Sequence, residues 1–422
     1  MAGEVLPSSG KPNKIVYGGE TLIDLTADTV TPGTLKQGVT AHAADGSRIT
    51  GTMAPPEPVQ ESDINFYDYD GTLLHAWSLA ELQSKTELPE LPTQPGLICQ
   101  GWNWTLAELK AQNSEMDVGA NYITNDGKTR IYVRLTALHK TLAVNLGMNG
   151  TATVDWGDGS EPDTLTGTGG ANVKTPVHEY AAVGDYMISI TVTGSANIPG
   201  VSKVPDTTKT LSSALLYETA DNIGWATTNL VKKIELGANI SLGNYAFGQM
   251  SQMDEISIPV HIRTSVYIFN KCEGLSCVVI PHGETNLDIA CLAFTEALKV
   301  VPLPGTLTTL GASCLLETGV FKRILLPKAI SVISSNGLST NVFIQEFKAF
   351  GPLTRLNGQC FRNNRNCAVY DFTACTSVPI LDGLKCFEGV PSNYEFRVPA
   401  SLLSAWKSAT NWAEYAPHIV GV

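Results

Sequence analysis

The sequence predicts a multidomain, mostly β protein, and three observations lead to that prediction. At 422 residues the chain is too long for one compact core, so about two to four domains are expected. Its 38 glycines and 23 prolines favour short strands and many turns over long helices. The C-terminal part repeats similar segments every 22 or 23 residues. We therefore expect a small N-terminal β module, a mixed α/β unit, a β-sandwich and a stack of repeats.

Bulk composition narrows the classes of partner. The net charge is −12, and no local cluster of lysine and arginine offsets it, so nucleic acid is not an expected partner. No apolar run reaches the ~18–20 residues that a membrane span needs. Met1–Gly10 lacks the cationic and apolar segments of a secretory signal. We therefore expect a protein that is made in the cytoplasm and has no membrane partner.

The front of the chain divides at a proline-rich stretch. Residues 1–53 are expected to form a small β module, in which Asp45-Gly46 marks a turn between short strands. Residues 54–62 include Pro55, Pro56 and Pro58, which stop regular structure and predict a stiff linker.

Residues 63–142 predict a small mixed α/β unit. Asp70-Gly71 follows an apolar strand and predicts a hairpin. Ser78 and Thr105 are each followed three residues later by a glutamate, so both fit capping boxes at the start of short helices. The alternating segment Thr129–Leu135 predicts a further strand.

Residues 143–196 predict an all-β domain. Three motifs occur in order: Trp156-Gly-Asp-Gly-Ser160, His178-Glu-Tyr180 and Gly184-Asp-Tyr186, the last opening a strand of period-two alternation. With these motifs the segment resembles a PKD-like β-sandwich. The resemblance implies a spacer or a support for ligand binding rather than a catalytic domain.

Two landmarks recur at one period in the C-terminal part. Four segments of the form apolar-x-x-apolar-x-apolar-Pro end at prolines 259, 281, 304 and 327, and Ile344–Phe350 and Cys367–Phe372 keep the apolar spacing. The second landmark, spaced by 22, 25, 21, 23, 23 and 26 residues, comprises Phe247, Phe269, Phe294, Leu315, Leu338, Phe361 and Phe387. Because each turn exposes an apolar edge that only the next turn covers, the pattern predicts a stacked solenoid.

These segments resemble BspA-type leucine-rich repeats, in which an aromatic residue precedes a hydrophobic strand ending in Ile-Pro. The resemblance covers residues 231–395, and residues 197–230 are expected to connect and cap the solenoid at its N-terminal end. Residues 396–422, with an amphipathic segment from Leu402 to Trp412, predict a C-terminal capping helix. A leucine-rich-repeat solenoid needs such a polar surface at its open end.

The repeat strands predict a binding surface. Apolar positions of each strand point inward and the intervening positions point outward. The expected outward row comprises Glu255, Ser257, Arg323, Leu325, Lys348, Val369 and Asp371. Arg362 and Arg365 lie in a polar loop at a turn corner and are further receptor-binding candidates. The alternative for both sets is a solvated surface without a ligand.

Two acidic motifs resemble sites of known chemistry. Asp68-Tyr-Asp70-Gly-Thr72 resembles the first motif of haloacid-dehalogenase-type phosphatases, which implies an attacking aspartate and magnesium. That fold needs βαβ units, a later lysine and an acidic pair, whereas helices, a sandwich and repeats follow here, so the hairpin interpretation is preferred. Asp155 and Asp158 have the chemistry of calcium ligands, but two carboxylates alone fit a turn better.

No other feature predicts catalysis or a cofactor. Cys291, Cys314, Cys360 and Cys386 precede the second landmark by one to three residues, which favours core packing over thiol chemistry. The sequence has no CxxC pair for zinc, no P-loop and no Gly-x-Ser-x-Gly elbow. We expect no enzyme activity, no metal and no cofactor.

The N-terminal residues relate the chain to a biological setting. Residues 17–52 resemble a module found in tail and other virion proteins of bacteriophages. Asn65–Leu73, with Gly101–Thr105, resembles the region that precedes PKD-like and repeat domains in phage-borne proteins. These resemblances imply that residues 1–53 anchor the chain to other virion proteins. They also imply a tail or fibre protein of the virion, made in the host cytoplasm, whose repeats bind a host cell-surface protein or glycan.

Two alternatives to that function stay open. In the first, the chain is a structural or decoration subunit of the virion. In the second, it is a bacterial surface adhesin of BspA type, which needs an export signal. Virion fibres are often trimeric, but no coiled-coil heptads indicate a trimer here.

Overall fold

The computed structural model describes residues 14–17, 20–25, 27, 29–35, 37–52, 59–137, 140–198, 216–217, 230–319 and 324–422. The chain divides into two compact units, Met1–Val59 and Gln60–Val422. Within the described ranges, no helix has the length and apolar character that crossing a bilayer requires.

Two antiparallel hairpins make up most of the described part of the first unit. Their strands are β1 (Lys14–Tyr17), β2 (Glu20–Asp24), β3 (Thr40–His42) and β4 (Arg48–Thr50). The predicted turn at Asp45-Gly46 joins β3 to β4 and is confirmed. Gly46 has φ 78°, which glycine adopts without strain, and the Asp45 carboxylate accepts a hydrogen bond from the Ser47 N–H (2.8 Å).

A four-stranded sheet with two short helices begins the second unit. Its elements are β5 (Ile64–Tyr67), β6 (Leu73–Trp77), α1 (Leu79–Ser84), β7 (Leu97–Trp102), α2 (Leu106–Gln112) and β8 (Met116–Thr124). The sheet order is β6-β5-β8-β7, in which only β5 and β8 are parallel. Both predicted capping boxes are confirmed, one between Ser78 and Glu81 and one between Thr105 and Glu108.

The segment Asp68–Thr72 forms the tip of the β5–β6 hairpin. The Asp68 N–H donates to the Thr72 carbonyl (2.8 Å), and Gly71 has φ 89°. The Asp70 carboxylate accepts from the Thr72 N–H, and the Asp68 carboxylate accepts from the Gln94 amide at 2.6 Å. The hairpin interpretation is confirmed, and both carboxylates are engaged within the turn and its surroundings.

Long antiparallel strands form the next layer. They and the first repeat strands are β9 (Thr129–Leu135), β10 (Thr141–Val144), β11 (Leu146–Asp155), β12 (Asp163–Lys174), β13 (Val177–Glu179), β14 (Gly184–Ile198), β15 (Leu216–Tyr217), β16 (Val231–Glu235), β17 (Ile240–Leu242) and β18 (Glu255–Ser257). One sheet has the order β12-β11-β14-β9-β16-β18, with β17 beside β14, and a smaller sheet has the order β13-β10-β15.

The strand β9 lies within the range expected for the mixed unit, but it pairs with β14 and β16. Since β16 also pairs in parallel with β18, one sheet continues from the antiparallel layer into the repeats.

The three motifs of residues 156–186 meet in one aromatic cluster. Trp156 is fully buried and stacks on His178, with ring centroids 5.0 Å apart. The Tyr180 hydroxyl donates to the Trp156 carbonyl (3.0 Å), and Tyr186 packs against Tyr180. The three motifs therefore pack against one another at one place in the apolar core.

Successive repeats stack in parallel. Their remaining strands are β19 (Asn286–Leu287), β20 (Thr309–Leu310), β21 (Val332–Ile333), β22 (Glu346–Lys348), β23 (Arg355–Leu356), β24 (Val369–Asp371), β25 (Ile380–Leu381), β26 (Glu395–Val398) and β27 (Ile419–Gly421). They form the parallel sheets β19-β20, β21-β23-β25 and β22-β24-β26-β27. One apolar core runs from the antiparallel layer through the repeats to the C-terminal segment.

The second landmark forms a main-chain ladder between coils. The Phe247 N–H donates to the Ile268 carbonyl, and Phe269 and Leu292 donate in the same way to the next coils. The third member is therefore Leu292, and the choice of Phe294 from the sequence was wrong. Leu292 is fully buried, whereas Phe294 is half-buried with φ 62°. With Leu292 the spacings become 22, 23, 23, 23, 23 and 26 residues.

In the six coils from Phe247 to Phe361, the residues two positions before and two positions after the ladder residue have left-handed backbone. The first column comprises Tyr245, Tyr267, Ala290, Ser313, Asn336 and Gln359, and the second comprises Gln249, Lys271, Phe294, Glu317, Thr340 and Asn363. A side chain in this conformation costs about 1 kcal/mol. Most of these N–H groups donate to the next coil, as Lys271 does to the Ala293 carbonyl (2.9 Å), so stacking offsets the strain.

The C-terminal segment lies over the last coil. It consists of a 3-10 turn at Ala400–Leu402, α3 (Leu403–Ser408) and a 3-10 segment at Trp412–His418, whereas a single helix was expected. The Trp412 indole donates to the Pro379 carbonyl and the Asn411 amide to the Leu381 carbonyl, both at 2.8 Å. These bonds satisfy carbonyl groups of the edge strand β25 and of the residue just before it.

Candidate binding surface

The repeat strands form one side of the solenoid, which we call the strand side, and an earlier part of the chain covers this side over the first coils. Residues 63–124, which we call the cover, place Tyr67 and Leu73 against Cys277, Val279 and Val300. Leu325, expected in the outward row, packs against the apolar core of the cover. The expectation that the whole strand side faces solvent was therefore wrong.

Side chains of the cover donate to main-chain carbonyls of successive coils. The fully buried Asn103 donates to the carbonyls of Ile280 (2.9 Å) and Pro302 (2.8 Å). The Trp104 indole donates to Leu303 (2.7 Å), and Asn121 donates to Ile258 (3.0 Å). The cover is thus fixed to the main chain of three consecutive coils.

Two further contacts show how close the cover lies. A Cβ atom on Gly119 would lie 2.6 Å from Val279 and 2.9 Å from Pro302, so this approach of β8 requires glycine. At the other end of the cover, the Gln112 side chain accepts from the Lys328 N–H (3.0 Å).

A polar network joins the cover, the antiparallel layer and the first coil. The Lys233 ammonium contacts Glu235 (3.2 Å), Glu255 (3.1 Å) and the Tyr69 hydroxyl (2.8 Å). Arg130 pairs with the buried Glu235 at 3.1 Å. Burial lowers the pKa of Lys233, but its bonds to Tyr69 and Glu255 outweigh burial and hold the pKa above its usual value. Lys233 therefore stays charged, and its contacts hold together the junction between the cover, the antiparallel layer and the first coil.

The cover removes part of the predicted receptor-binding set. Ser257 is 0% exposed where β18 lies against β8, so its predicted exposure was wrong. Glu255 is half-buried and is held by Lys233 and Tyr69. Arg323 lies outside the described residues, as do Phe321 and Lys322 of the same repeat strand.

The later strands leave a charged surface open. We call the outward side of β22, β24, β26 and β27 the open face. Its register aligns Lys348, Asp371, Arg397 and Val420 in one row, and Glu346, Val369 and Glu395 in the other. Predicted candidates Lys348 and Asp371 thus lie together, with Lys348 exposed and Asp371 half-buried.

Charges of the open face are mostly arranged in contacts of opposite sign. Arg397 contacts Glu395 at 2.7 Å and Glu346 at 3.9 Å. Asp371 accepts from the Thr373 hydroxyl (2.6 Å). The Lys348 ammonium lies 5.5 Å from the ring centre of Phe350. The open face therefore offers polar and charged groups that are already oriented, which suits a polar partner.

Arg362 and Arg365 lie at a corner of the stack, away from that strand row. Arg362 forms an ion pair (2.9 Å) with Glu388 of the next coil. Arg365 is exposed. The ion pair of Arg362 fits the solvated-corner interpretation, and Arg365 stays a candidate.

The nine cysteines are free, and eight of them are buried. Burial raises the pKa of Cys314 to about 12 and that of Cys367 to about 11, so little thiolate is present near neutral pH. Their place in the apolar core agrees with the predicted packing role.

Acidic groups elsewhere are used within turns. Asp155 accepts from the Gly157 N–H (3.0 Å), while Asp158 accepts from the Ser160 hydroxyl (2.6 Å) and contacts His178 at 2.7 Å. In the part of the chain that the structure describes, no three His, Cys, Asp or Glu side chains gather as metal ligands would.

Comparison with known proteins bears on the repeats. The family model for the BspA type leucine rich repeat region matches six copies over residues 224–345 and 265–393. The chain contains BspA-type leucine-rich repeats. No curated protein sequence matches it.

Two solved structures are similar to part of the chain. A leucine-rich repeat protein from Bacteroides ovatus is 19% identical with a TM-score of 0.34, and the match covers 48% of this chain and 54% of that one. A leucine rich cell surface protein from Faecalibacterium prausnitzii is 15% identical with a TM-score of 0.22, over 43% of this chain and 70% of that one. The chain thus spans only 54%, about half, of the Bacteroides protein.

The cover and the residues that attach it, Asn103, Gly119 and Asn121, were not predicted from the sequence. One signal was present: the outward positions Cys277, Val279 and Val300 are apolar, whereas the corresponding positions of the open face are mostly charged. Apolar residues on a supposedly exposed row indicate a covered surface.

Proposed function

We propose that this chain is a non-enzymatic recognition protein that binds a cell-surface protein or glycan through the open face of its BspA-type repeats. The observation behind the proposal is the contrast along one strand side. The first coils are sealed by the cover, whereas β22, β24 and β26 of the open face present oriented charged groups to solvent.

The remaining parts of the chain have supporting roles in this proposal. The strands within residues 143–196 act as a PKD-like spacer, as the motifs of the Trp156 cluster suggest. Residues 1–53 anchor the chain to other virion proteins, and the resemblance of residues 17–52 to phage virion modules supports that setting. The protein is then a tail or fibre component that is made in the host cytoplasm.

A second setting, a bacterial surface adhesin, is favoured by the match to the BspA type repeat family. Both settings use the same surface for the same kind of partner. The charged character of the open face supports either one over a decoration subunit, which would need an apolar contact patch. Antibody labelling separates them: a virion protein is found on purified phage particles, and an adhesin is found on the bacterial envelope.

Binding of the full chain to candidate host cells tests the proposal. Lys348→Glu and Arg397→Glu reverse two charges on the open face, and Lys407→Glu reverses an exposed charge on α3. We expect saturable binding that falls at least about tenfold in each open-face variant, equivalent to ~1.4 kcal/mol, and is unchanged in Lys407→Glu. Equal binding by all variants would exclude the open face as the contact surface.

Absence of binding to every susceptible strain would contradict the recognition role itself. The far-ultraviolet circular dichroism of each variant should match that of the unmodified chain, so that loss of binding is not loss of fold.

A further inference from the structure

A column of cysteines runs along the stack. Cys291, Cys314 and Cys360 each lie just before the residue whose N–H donates to the next coil, and the Cys386 carbonyl accepts the last of these bonds. Cys360 and Cys386 lie on adjacent coils, and their sulfur atoms are 3.6 Å apart. The Phe361 N–H donates to the Cys386 carbonyl at 3.1 Å, so the two coils are bonded beside the thiols.

We propose that Cys360 and Cys386 form an oxidative cross-link site that joins the last two coils by a disulfide. Adjacent coils in a parallel ladder lie about 4.8 Å apart, which falls within the Cα separation of about 4.4–6.8 Å that a disulfide spans. The sulfur atoms need to approach by roughly 1.5 Å to reach the bonded distance. Side-chain rotation supplies such a shift without separating the coils.

The reaction needs a two-electron oxidant, and a small-molecule disulfide such as oxidised glutathione serves. The Cys386 thiolate attacks one sulfur of the oxidant, which leaves a mixed disulfide and releases one small thiolate. The Cys360 thiolate then attacks the Cys386 sulfur, and the second small thiolate leaves. Two protein thiols lose two protons and two electrons, and one small disulfide becomes two thiols. The hydrogen bond from Cys360 lowers the pKa of Cys386, which favours Cys386 as the first nucleophile.

Burial determines when the bond forms. Both thiols are 0% exposed, and Tyr415 of the C-terminal segment packs on Phe387, next to Cys386. The oxidant therefore reaches the pair during folding or when the last coil opens. Once formed, the bond closes a loop over one coil and opposes further opening.

Oxidation of the full chain by oxidised glutathione tests the site. One sample is oxidised during refolding and one when folded. Free thiols are then alkylated under denaturing conditions, and peptides are mapped by mass spectrometry. We expect a linked peptide pair containing Cys360 and Cys386, formed faster during refolding, and a rise of about 5–10 °C in Tm. The control Cys314→Ser, in the same column, should keep both effects, and Cys360→Ser should lose both.

The unmodified chain decides the matter even if a variant does not fold. Nine alkylated cysteines after oxidation in both samples would overturn the proposal. A link found mainly between Cys291 and Cys314 would overturn it equally, because it would show that the 3.6 Å contact does not select the pair.

Discussion

Replacing Asn103 with alanine tests whether main-chain hydrogen bonds hold the cover on the repeats. The side chain donates to the carbonyls of Ile280 (2.9 Å) and Pro302 (2.8 Å) and accepts from the Gly119 N–H (2.8 Å). Alanine leaves these three buried groups without that partner. The Pro302 carbonyl keeps its bond from the Ile280 N–H (3.1 Å), so the Ile280 carbonyl and the Gly119 N–H are the groups left unsatisfied, at about 1–3 kcal/mol each. Loss of the second bond to Pro302 adds to this cost and entry of water recovers part of it, so we expect about 3–5 kcal/mol.

Hydrogen exchange followed by mass spectrometry locates this loss. A cost of 3–5 kcal/mol raises the opening equilibrium by roughly 160- to 5000-fold. We expect faster exchange in peptides covering residues 116–124 and 277–304, and unchanged exchange over residues 346–421. The control Asn366→Ala removes one bond from an exposed amide to the Val342 carbonyl and should cost less than about 1 kcal/mol.

Two results would refute the reasoning. Unchanged exchange near Gly119 in Asn103→Ala would mean that the bonds do not hold the cover. Exchange that rises equally in the open repeats would mean that the cover and all the coils unfold as one cooperative unit.

Three further predictions concern other single positions. Gly119→Val should force the cover away from Val279 and lower the free energy of unfolding by about 1–3 kcal/mol in chemical denaturation. The control Gly358→Ala should lower it less, because a Cβ on Gly358 meets only the Asp382 carbonyl at 3.5 Å. Glu317 is exposed with φ 53°, a backbone conformation that glycine adopts without strain and a β-branched residue does not. In thermal unfolding, Glu317→Gly should therefore raise stability by about 0.5–1 kcal/mol and Glu317→Val should lower it. The reverse order of stability would contradict the argument from backbone strain. Hydrogen bonds from the Ser160 hydroxyl and His178 lower the pKa of Asp158 to about 2 from 3.8, so its contribution is complete above pH 3.8 and is lost as the pH falls towards 2. Asp158→Asn should flatten the acid side of the pH–stability curve, and a curve like that of the unmodified chain would exclude this carboxylate as the cause.

Local features were predictable because their causes are local. The Asp70-Gly71 turn and the Ser78 and Thr105 capping boxes depend on residues within four positions of one another. The repeats were predictable for a different reason, since one packing requirement recurs in every coil and leaves a period in the sequence.

The candidate site was only partly predictable because the cover acts over long sequence distances. Asn103 and the Pro302 carbonyl are 199 residues apart, and a carbonyl that accepts a bond leaves no trace in the identity of its residue. Lys348 and Asp371 were found from strand alternation alone, whereas the burial of Ser257 needed knowledge of what lies above β18. Phe294 was misassigned because its aromatic side chain resembles a core residue, while its left-handed backbone turns it away from the core position held by Leu292.

The unequal covering of the strand side has a mechanical consequence. Coils between Ile258 and Lys328 are bonded laterally to the cover. Among the residues that the structure describes, the later coils are held by their neighbours and the C-terminal segment. A force applied at Val422 therefore detaches the C-terminal segment first and then unfolds the open coils one after another. Each coil that unfolds lengthens the chain by one repeat. The covered coils resist as a block, because several lateral bonds must break together before any of them lengthens. A tensile load is thus dissipated in the open repeats before it reaches the junction at Lys233.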